Sequence, residues 1–174
     1  MNLKDTISKA SKFNTILCCA LLFLTLIGCE KNASSEVYTI SNGTSFGMCA
    51  GYCIRELVVT TDATARYTAT SWDTVSYPTL VLDTMITLAE WNDLMSLADL
   101  EVLKTFPAVV GCPDCADGGA EWISFDDGSQ VKKVTIEYGD TLDGLGPIIS
   151  RLAALRAEYE QRLFGDQHPE RLIG

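Results

Sequence analysis

The feature that most constrains this chain is a short apolar run near its N-terminus. The run covers residues 16–28 and follows three lysines, Lys4, Lys9 and Lys12. A membrane-spanning helix needs about 20 apolar residues, whereas the core of a cleavable signal peptide needs about 7–15 after a basic leader. The run therefore predicts a signal peptide over residues 1–28. Its removal leaves 174 − 28 = 146 residues, enough for one domain with its own core.

The residues that end this run, Leu26-Ile27-Gly28-Cys29, resemble the cleavage site of bacterial lipoproteins. In that class a cysteine directly follows a small residue, its sulfur receives a diacylglycerol, and the chain is cut just before it. The resemblance implies that Cys29 becomes the acylated N-terminus, carrying palmitate-type chains that bind the membrane, since two or more chains anchor stably. Glu30 stands where aspartate favours the inner membrane, so the outer membrane of a bacterial envelope is the expected location. A plain signal peptide is the alternative.

Charge narrows the range of partners. The predicted signal holds three of the 13 basic residues and one of the 23 acidic residues, which leaves 10 basic and 22 acidic side chains and a formal charge of −12. So acidic a surface repels phosphate backbones, and no nucleic-acid partner is expected. It also disfavours direct contact with anionic lipid apart from the acyl anchor.

Four cysteines remain after Cys29: Cys49, Cys53, Cys112 and Cys115. An even number of cysteines in an oxidising compartment predicts structural disulfides. Four cysteines allow three connectivities. Local pairs would close loops worth roughly 2 kcal/mol, and pairs between the two groups would close loops worth about 4 kcal/mol. This difference does not decide the connectivity, which stays open.

Cys112-Pro113-Asp114-Cys115 also has the spacing of a redox or metal-binding motif. In thioredoxin-like enzymes such a pair opens a helix, but here Ala116-Asp117-Gly118-Gly119 follows, which does not start a long helix. All four cysteines could form a zinc site, although thiols tend to oxidise in this compartment. Structural disulfides are therefore favoured, no metal or cofactor is expected, and a thiol–disulfide or metal-binding protein using Cys112 and Cys115 is the alternative.

No catalytic residue emerges from the remaining side chains. The single histidine, His168, lies in the polar tail, where it has no fixed position near a nucleophile. The acids Asp114, Asp117 and Glu121 lack the order of a calcium loop, so a solvated acidic loop is predicted. Exposed aromatic side chains are the remaining binding candidates, Trp72 and Tyr77, which flank an irregular stretch.

The first half of the chain predicts strands and then a helix. Residues 37–40 form a candidate strand that Ser41-Asn42-Gly43 would end as a turn. Alternating apolar residues over 54–61 and 64–72 predict a hairpin, and residues 79–83 a further strand. A helix over 87–98 begins with the capping-box spacing of Thr87 and Glu90. Its predicted core stripe consists of Leu88, Trp91, Leu94, Met95 and Ala98.

The second half predicts another hairpin and the clearest helix. Asp127-Gly128 is a strong turn signal between residues 122–125 and 131–138, where Val134, Ile136 and Tyr138 should form the dry face. Helix 147–164 starts at Pro147 and has a regular apolar stripe. The expected fold is α+β: an antiparallel sheet of about four to six strands built from two hairpins, with both helices on one face. It would occupy residues 37–165, after a tether over 29–36 and before a frayed tail over 166–174.

The segment Ser45-Phe46-Gly47-Met48-Cys49, followed by a hairpin, a helix, a second hairpin and a last helix, resembles a family of uncharacterised bacterial lipoproteins. Members often have Cys-Pro-x-Tyr where this chain has Cys49-Ala50-Gly51-Tyr52. The resemblance implies an envelope location and an α+β fold, but no activity. The expected function is therefore a non-enzymatic binding or structural module with an unknown protein or small-molecule partner.

Overall fold

The computed structural model describes residues 37–165. The predicted signal peptide over 1–28, the tether over 29–36 with Cys29, and the tail over 166–174 with His168 lie outside the described residues.

The described chain contains six β-strands and three α-helices. In chain order they are β1 (Thr39–Ser45), β2 (Ile54–Thr60), β3 (Thr64–Thr70), β4 (Leu80–Met85), α1 (Leu88–Leu97), α2 (Leu100–Thr105), β5 (Ala120–Asp126), β6 (Val131–Glu137) and α3 (Gly146–Phe164).

The six strands form one open sheet in the order β4-β3-β2-β1-β5-β6, and every neighbouring pair is antiparallel. Four strands therefore follow one another as a meander, and the second hairpin then adds to the free side of β1. This arrangement confirms the predicted α+β class and places β1 in the interior of the sheet. In β1, Asn42 pairs with Leu57 on one side and with Ile123 on the other.

The helices cover one face of this sheet. α3 packs on β1, β2 and β3, α1 packs on α3, and α2 packs on β6. Alternating side chains of the strands fill the space between the layers, because successive strand residues point to opposite faces. The largest fully buried side chains of this core include Ile40, Leu57, Tyr67, Phe125, Leu152 and Leu155.

The predicted turn at Ser41-Asn42-Gly43 is wrong, because these residues lie in the middle of β1. Gly43 is required by a close approach: a Cβ at this position would overlap the indole of Trp122 and lie 2.7 Å from the carbonyl oxygen of Arg55. Turn-type residues here thus serve packing inside a sheet.

The helices agree with the sequence patterns except in two places. In the predicted capping box, Thr87 Oγ1 accepts from the Glu90 amide at 3.1 Å and the Thr87 amide donates to Glu90 at 2.9 Å. Leu88, however, is exposed, so the buried face of α1 consists of Trp91 and Leu94. The short helix α2 is an addition to the predicted elements; the side chain of Asp99 caps it by accepting from the Val102 amide at 2.9 Å.

Candidate ligand-binding cavity

A cavity of about 720 Å³ opens between the helix-covered face of the sheet and α3. Its size is within the range of small-molecule sites. The sheet contributes Thr44 and Arg55, α3 contributes four side chains, and three loops complete the wall. The lining residues are Thr44, Phe46, Met48, Cys49, Ala50, Arg55, Asp117, Gly118, Tyr138, Ala153, Arg156, Ala157 and Glu160.

The four residues from α3 lie on one side of the helix. Ala153, Arg156, Ala157 and Glu160 recur at spacings of three, one and three, which place them on adjacent turns of the same face. The two alanines leave space next to the sheet, whereas Arg156 and Glu160 supply opposite charges one turn apart. α3 therefore provides both the room and the polar chemistry of this cavity.

Arg156 belongs to a buried polar cluster with Glu121 and Asn42. Both terminal nitrogens of Arg156 donate to Glu121 Oε1 at 3.2 Å, and Nη1 also donates to Asn42 Oδ1. Asn42 Nδ2 donates to Glu121 Oε1 at 3.1 Å and to the carbonyl oxygen of Trp122 at 2.9 Å. The Arg156 and Glu121 side chains are only 9% and 5% exposed. These hydrogen bonds hold Arg156 in a fixed position where its side chain lines the cavity.

A second ion pair is more open to the cavity. Arg55 Nη1 lies 2.8 Å from Glu160 Oε1, and the two side chains are 20% and 13% exposed. Apart from this contact, the Arg55 guanidinium donates within residues 37–165 only through Nε, to the carbonyl oxygen of Tyr52 at 3.2 Å. Burial raises the pKa of Glu160, an effect that Arg55 and Arg156 oppose. This pair therefore has hydrogen-bonding capacity that no group within residues 37–165 uses.

Tyr67 adds an unsatisfied polar group to this region. Its side chain is fully buried, and within the described residues its hydroxyl has no hydrogen-bond partner. Burial raises the pKa of Tyr67, and so does the charge of Glu160, whereas Arg55 and Arg156 lower it. A buried unpaired hydroxyl costs about 1–3 kcal/mol. The Tyr67 hydroxyl therefore lowers the stability of the core next to the Arg55, Arg156 and Glu160 side chains.

The cavity rim is aromatic. Phe46 and Tyr138 meet edge to face with ring centroids 4.9 Å apart. The prediction of Tyr138 on the dry face of its strand is wrong, because Tyr138 lies beyond the end of β6 and is exposed. Phe46 also packs on Gly119, where a side chain would overlap its ring. These two rings give the lining an apolar part beside its charged side chains.

The four cysteines form two local disulfides, Cys49–Cys53 and Cys112–Cys115. The prediction of disulfides is confirmed, and the connectivity that the sequence left open is local. Cys112–Cys115 leads into a three-residue 3₁₀ turn, Cys115–Asp117, so the helix that activates thioredoxin-like thiols does not follow it. Within residues 37–165, no group of three or more His, Cys, Asp or Glu side chains is placed to hold a metal ion.

The predicted acidic loop is only partly correct. Asp117 is exposed and Asp114 is half-buried, whereas Glu121 lies inside β5 and is buried. The prediction failed at Glu121 because β5 begins at Ala120 rather than at Trp122, which turns the carboxylate toward α3. One signal in the sequence could have found Glu121. Arg156 lies next to the apolar stripe of α3, and an arginine buried there needs an acidic partner from elsewhere in the chain.

The two aromatic binding candidates lie outside the cavity lining. Trp72 is exposed, and its Nε1 donates to the carbonyl oxygen of Phe46 at 2.8 Å. Tyr77 is half-buried and meets Tyr52 edge to face at 5.9 Å. Trp72 thus contributes to the cavity only indirectly, because its hydrogen bond helps to fix the backbone of Phe46.

None of the helices within residues 37–165 is long and apolar enough to cross a membrane. No protein-family model matches the chain, and no curated protein gives a significant match.

Proposed function

We propose that this chain is a lipid-anchored protein of the bacterial envelope that binds a small polar ligand in the cavity beside α3, without catalysis. The observation that carries the proposal is the partly exposed Arg55–Glu160 pair, whose charged atoms lie 2.8 Å apart. It lines the cavity together with Arg156 of the buried Arg156–Glu121 pair. Polar groups that converge in a concave site with an apolar rim are typical of ligand pockets.

The charges of the site indicate the class of ligand. The four charged side chains that line the cavity, Arg55, Arg156, Asp117 and Glu160, sum to zero, so a strongly anionic or cationic ligand would gain little from them. A neutral or zwitterionic group with both a donor and an acceptor can engage Arg55 and Glu160 together. The rings of Phe46 and Tyr138 would contact an apolar part of the same molecule.

We favour binding over catalysis because the two glutamates at the site are paired with arginines and the lining offers no activated nucleophile. Glu160 and Glu121 are each paired with an arginine, the third carboxylate, Asp117, is exposed to solvent, and the described lining residues include no histidine, no serine and no free thiol. A nucleophile activated by a nearby base, as covalent catalysis requires, is not part of this set.

A thermal-shift screen with free amino acids, dipeptides and neutral sugars tests the proposal. We expect at least one compound class to raise the Tm of the wild-type protein. Arg55→Met and Glu160→Gln should each abolish that shift, because they remove the two partners of the ligand. Arg151→Met is the matched control: this arginine also lies on α3 and pairs with Asp93 at 3.1 Å, outside the cavity lining.

Two outcomes would contradict ligand binding at this pair. One is a compound that shifts the Tm of wild type and of both cavity variants equally, which would place its site elsewhere. The other is a shift that Arg151→Met removes as completely as Arg55→Met does.

The lipid anchor is supported by the sequence Leu26-Ile27-Gly28-Cys29 after a short apolar run. Metabolic labelling with an alkyne-bearing palmitate should tag the wild-type protein and place it in the membrane fraction. Cys29→Ser should lose both the label and the membrane association. A soluble, unlabelled wild-type protein would overturn the anchor and leave the cavity proposal untouched.

A further inference from the structure

The two disulfides close similarly short loops in different surroundings. Cys53 is buried and Cys49 half-buried, whereas Cys112 and Cys115 are both exposed. Thiol–disulfide exchange requires a thiolate to reach one of the sulfurs. Cys112–Cys115, with both residues exposed, is therefore the disulfide that a thiol in solution reaches more easily.

The backbone around Cys112–Cys115 is also held in an unfavourable conformation. Asp114, Ala116 and Asp117 have φ angles of 60°, 51° and 60°, in the left-handed region that L-residues disfavour. In the loop between Cys49 and Cys53 the left-handed position is occupied by a glycine, Gly51, with φ 88°. Asp114 lies inside the Cys112–Cys115 ring, and Ala116 and Asp117 follow it directly, so opening this ring would release a constraint on a strained stretch. The Cys49–Cys53 ring holds no non-glycine residue in the left-handed region.

The strained loop is part of the cavity wall. Asp117 and Gly118 line the cavity directly. The carboxylate of Asp114 accepts from the Gly47 amide at 3.3 Å and from the Gly119 amide at 3.2 Å, which ties this loop to the segment that carries Phe46. A change in the loop would consequently reach both the wall and the aromatic rim.

We propose that Cys112–Cys115 is a redox-sensitive modification site whose reduction by an extracytoplasmic dithiol loosens this wall of the cavity. The regulatory meaning of that loosening rests on the proposed ligand binding. A thiolate of the dithiol attacks one protein sulfur, breaks the S–S bond and forms a mixed disulfide. Its second thiolate then closes the disulfide of the reductant. Two electrons pass to the protein sulfurs, and the two protons of the dithiol end on Cys112 and Cys115.

Graded reduction of the oxidised full-length protein tests the first part. Samples equilibrated with increasing dithiothreitol are quenched in acid, alkylated and mapped by mass spectrometry. We expect Cys112 and Cys115 to become alkylated at a dithiothreitol concentration at least tenfold lower than Cys49 and Cys53 require. Reduction of both pairs together, or of Cys49–Cys53 first, would overturn the proposal.

Amide hydrogen exchange tests the coupling to the cavity. At the concentration that reduces only Cys112–Cys115, the amides of Gly47 and Gly119 should exchange at least tenfold faster, while that of Leu57 in β2 keeps its rate. An unchanged rate at Gly47 in protein reduced at Cys112–Cys115 would overturn the coupling. The double variant Cys112→Ser/Cys115→Ser should show the fast rates with or without dithiothreitol. Neither measurement uses a ligand, so its failure is distinct from failure of the cavity to bind one.

Discussion

Two arginine–glutamate pairs within residues 37–165 connect α3 to the sheet, and they differ in how completely their polar atoms are hydrogen-bonded. In one pair the helix supplies the cation, Arg156, and β5 the anion, Glu121; in the other the helix supplies the anion, Glu160, and β2 the cation, Arg55. Asn42 completes the bonding of the first pair. The second pair borders the cavity, and within residues 37–165 part of its hydrogen-bonding capacity is unused. The same two residue types thus form a fully hydrogen-bonded pair, the sealed pair, in one place and a partly bonded one, the open pair, in the other, and we propose that only the open pair binds a ligand.

The difference follows from desolvation. A buried ion pair repays the loss of water only when further hydrogen bonds satisfy both partners. Arg156 and Glu121 meet this condition, whereas at Glu160 the cost of burial exceeds the attraction of the two arginines and raises the pKa of the carboxyl. A partly buried ion pair with unused hydrogen-bonding capacity is stabilised when a polar group binds to its free donors and acceptors.

Removing one partner of the sealed pair should have the largest effect. Arg156→Met leaves the Glu121 carboxylate buried without its cation, which typically costs about 3–5 kcal/mol. The free energy of unfolding, measured by urea denaturation, should fall by that amount. The double variant Glu121→Met/Arg156→Met should recover most of the loss, because it removes both charges. A single variant as stable as the wild type would mean that the pair is not sealed.

Asn42→Ala should have the next largest effect. It removes the acceptor for Arg156 Nη1 and the donor to Glu121, while the ion pair itself remains, so we expect a loss of about 1–3 kcal/mol. Ser41→Ala is the control in the same strand, since its side chain points to the opposite face of the sheet. An equal loss in both variants would show that the effect comes from the strand rather than from the polar cluster.

Breaking the open pair should cost much less. Arg55→Met removes an ion pair whose attraction does not outweigh the cost of burying Glu160, so we expect its net contribution to be no larger than the roughly 1 kcal/mol typical of more exposed pairs. The same denaturation experiment should therefore separate Arg55→Met from Arg156→Met by at least about 2 kcal/mol. Similar losses in the two variants would remove the distinction between a structural pair and a binding pair.

The sequence predicted the layers of the fold but not the contacts that make the site. The alternation of Leu57 with Val59 and the spacing in α3 report local periodicity, which a single segment carries by itself. Asn42 and Arg156 are 114 residues apart, and Asn42 and Glu121 are 79 apart, so their meeting depends on β1 pairing with β5 under α3. No local pattern contains that pairing, and in isolation Asn42-Gly43 indicates a turn.

The smallest expected effect is the pH dependence of the open pair, and its sign distinguishes Glu160 from an ordinary acid. The folded state raises the pKa of Glu160, so between the ordinary and the raised value the folded protein binds more protons than the unfolded one. This contribution is fully present below the ordinary value and is lost as the pH rises through the raised one. Relative to Glu160→Gln, the wild type should therefore gain stability on acidification from neutral pH.

Glu90 gives the opposite control: hydrogen bonds from Thr87 lower its pKa, so relative to Glu90→Gln the wild type should lose stability as the pH falls through that lowered value. Urea denaturation of the three proteins from pH 7 downward measures both differences, and the same sign for both would show that Glu160 is solvated like a surface acid.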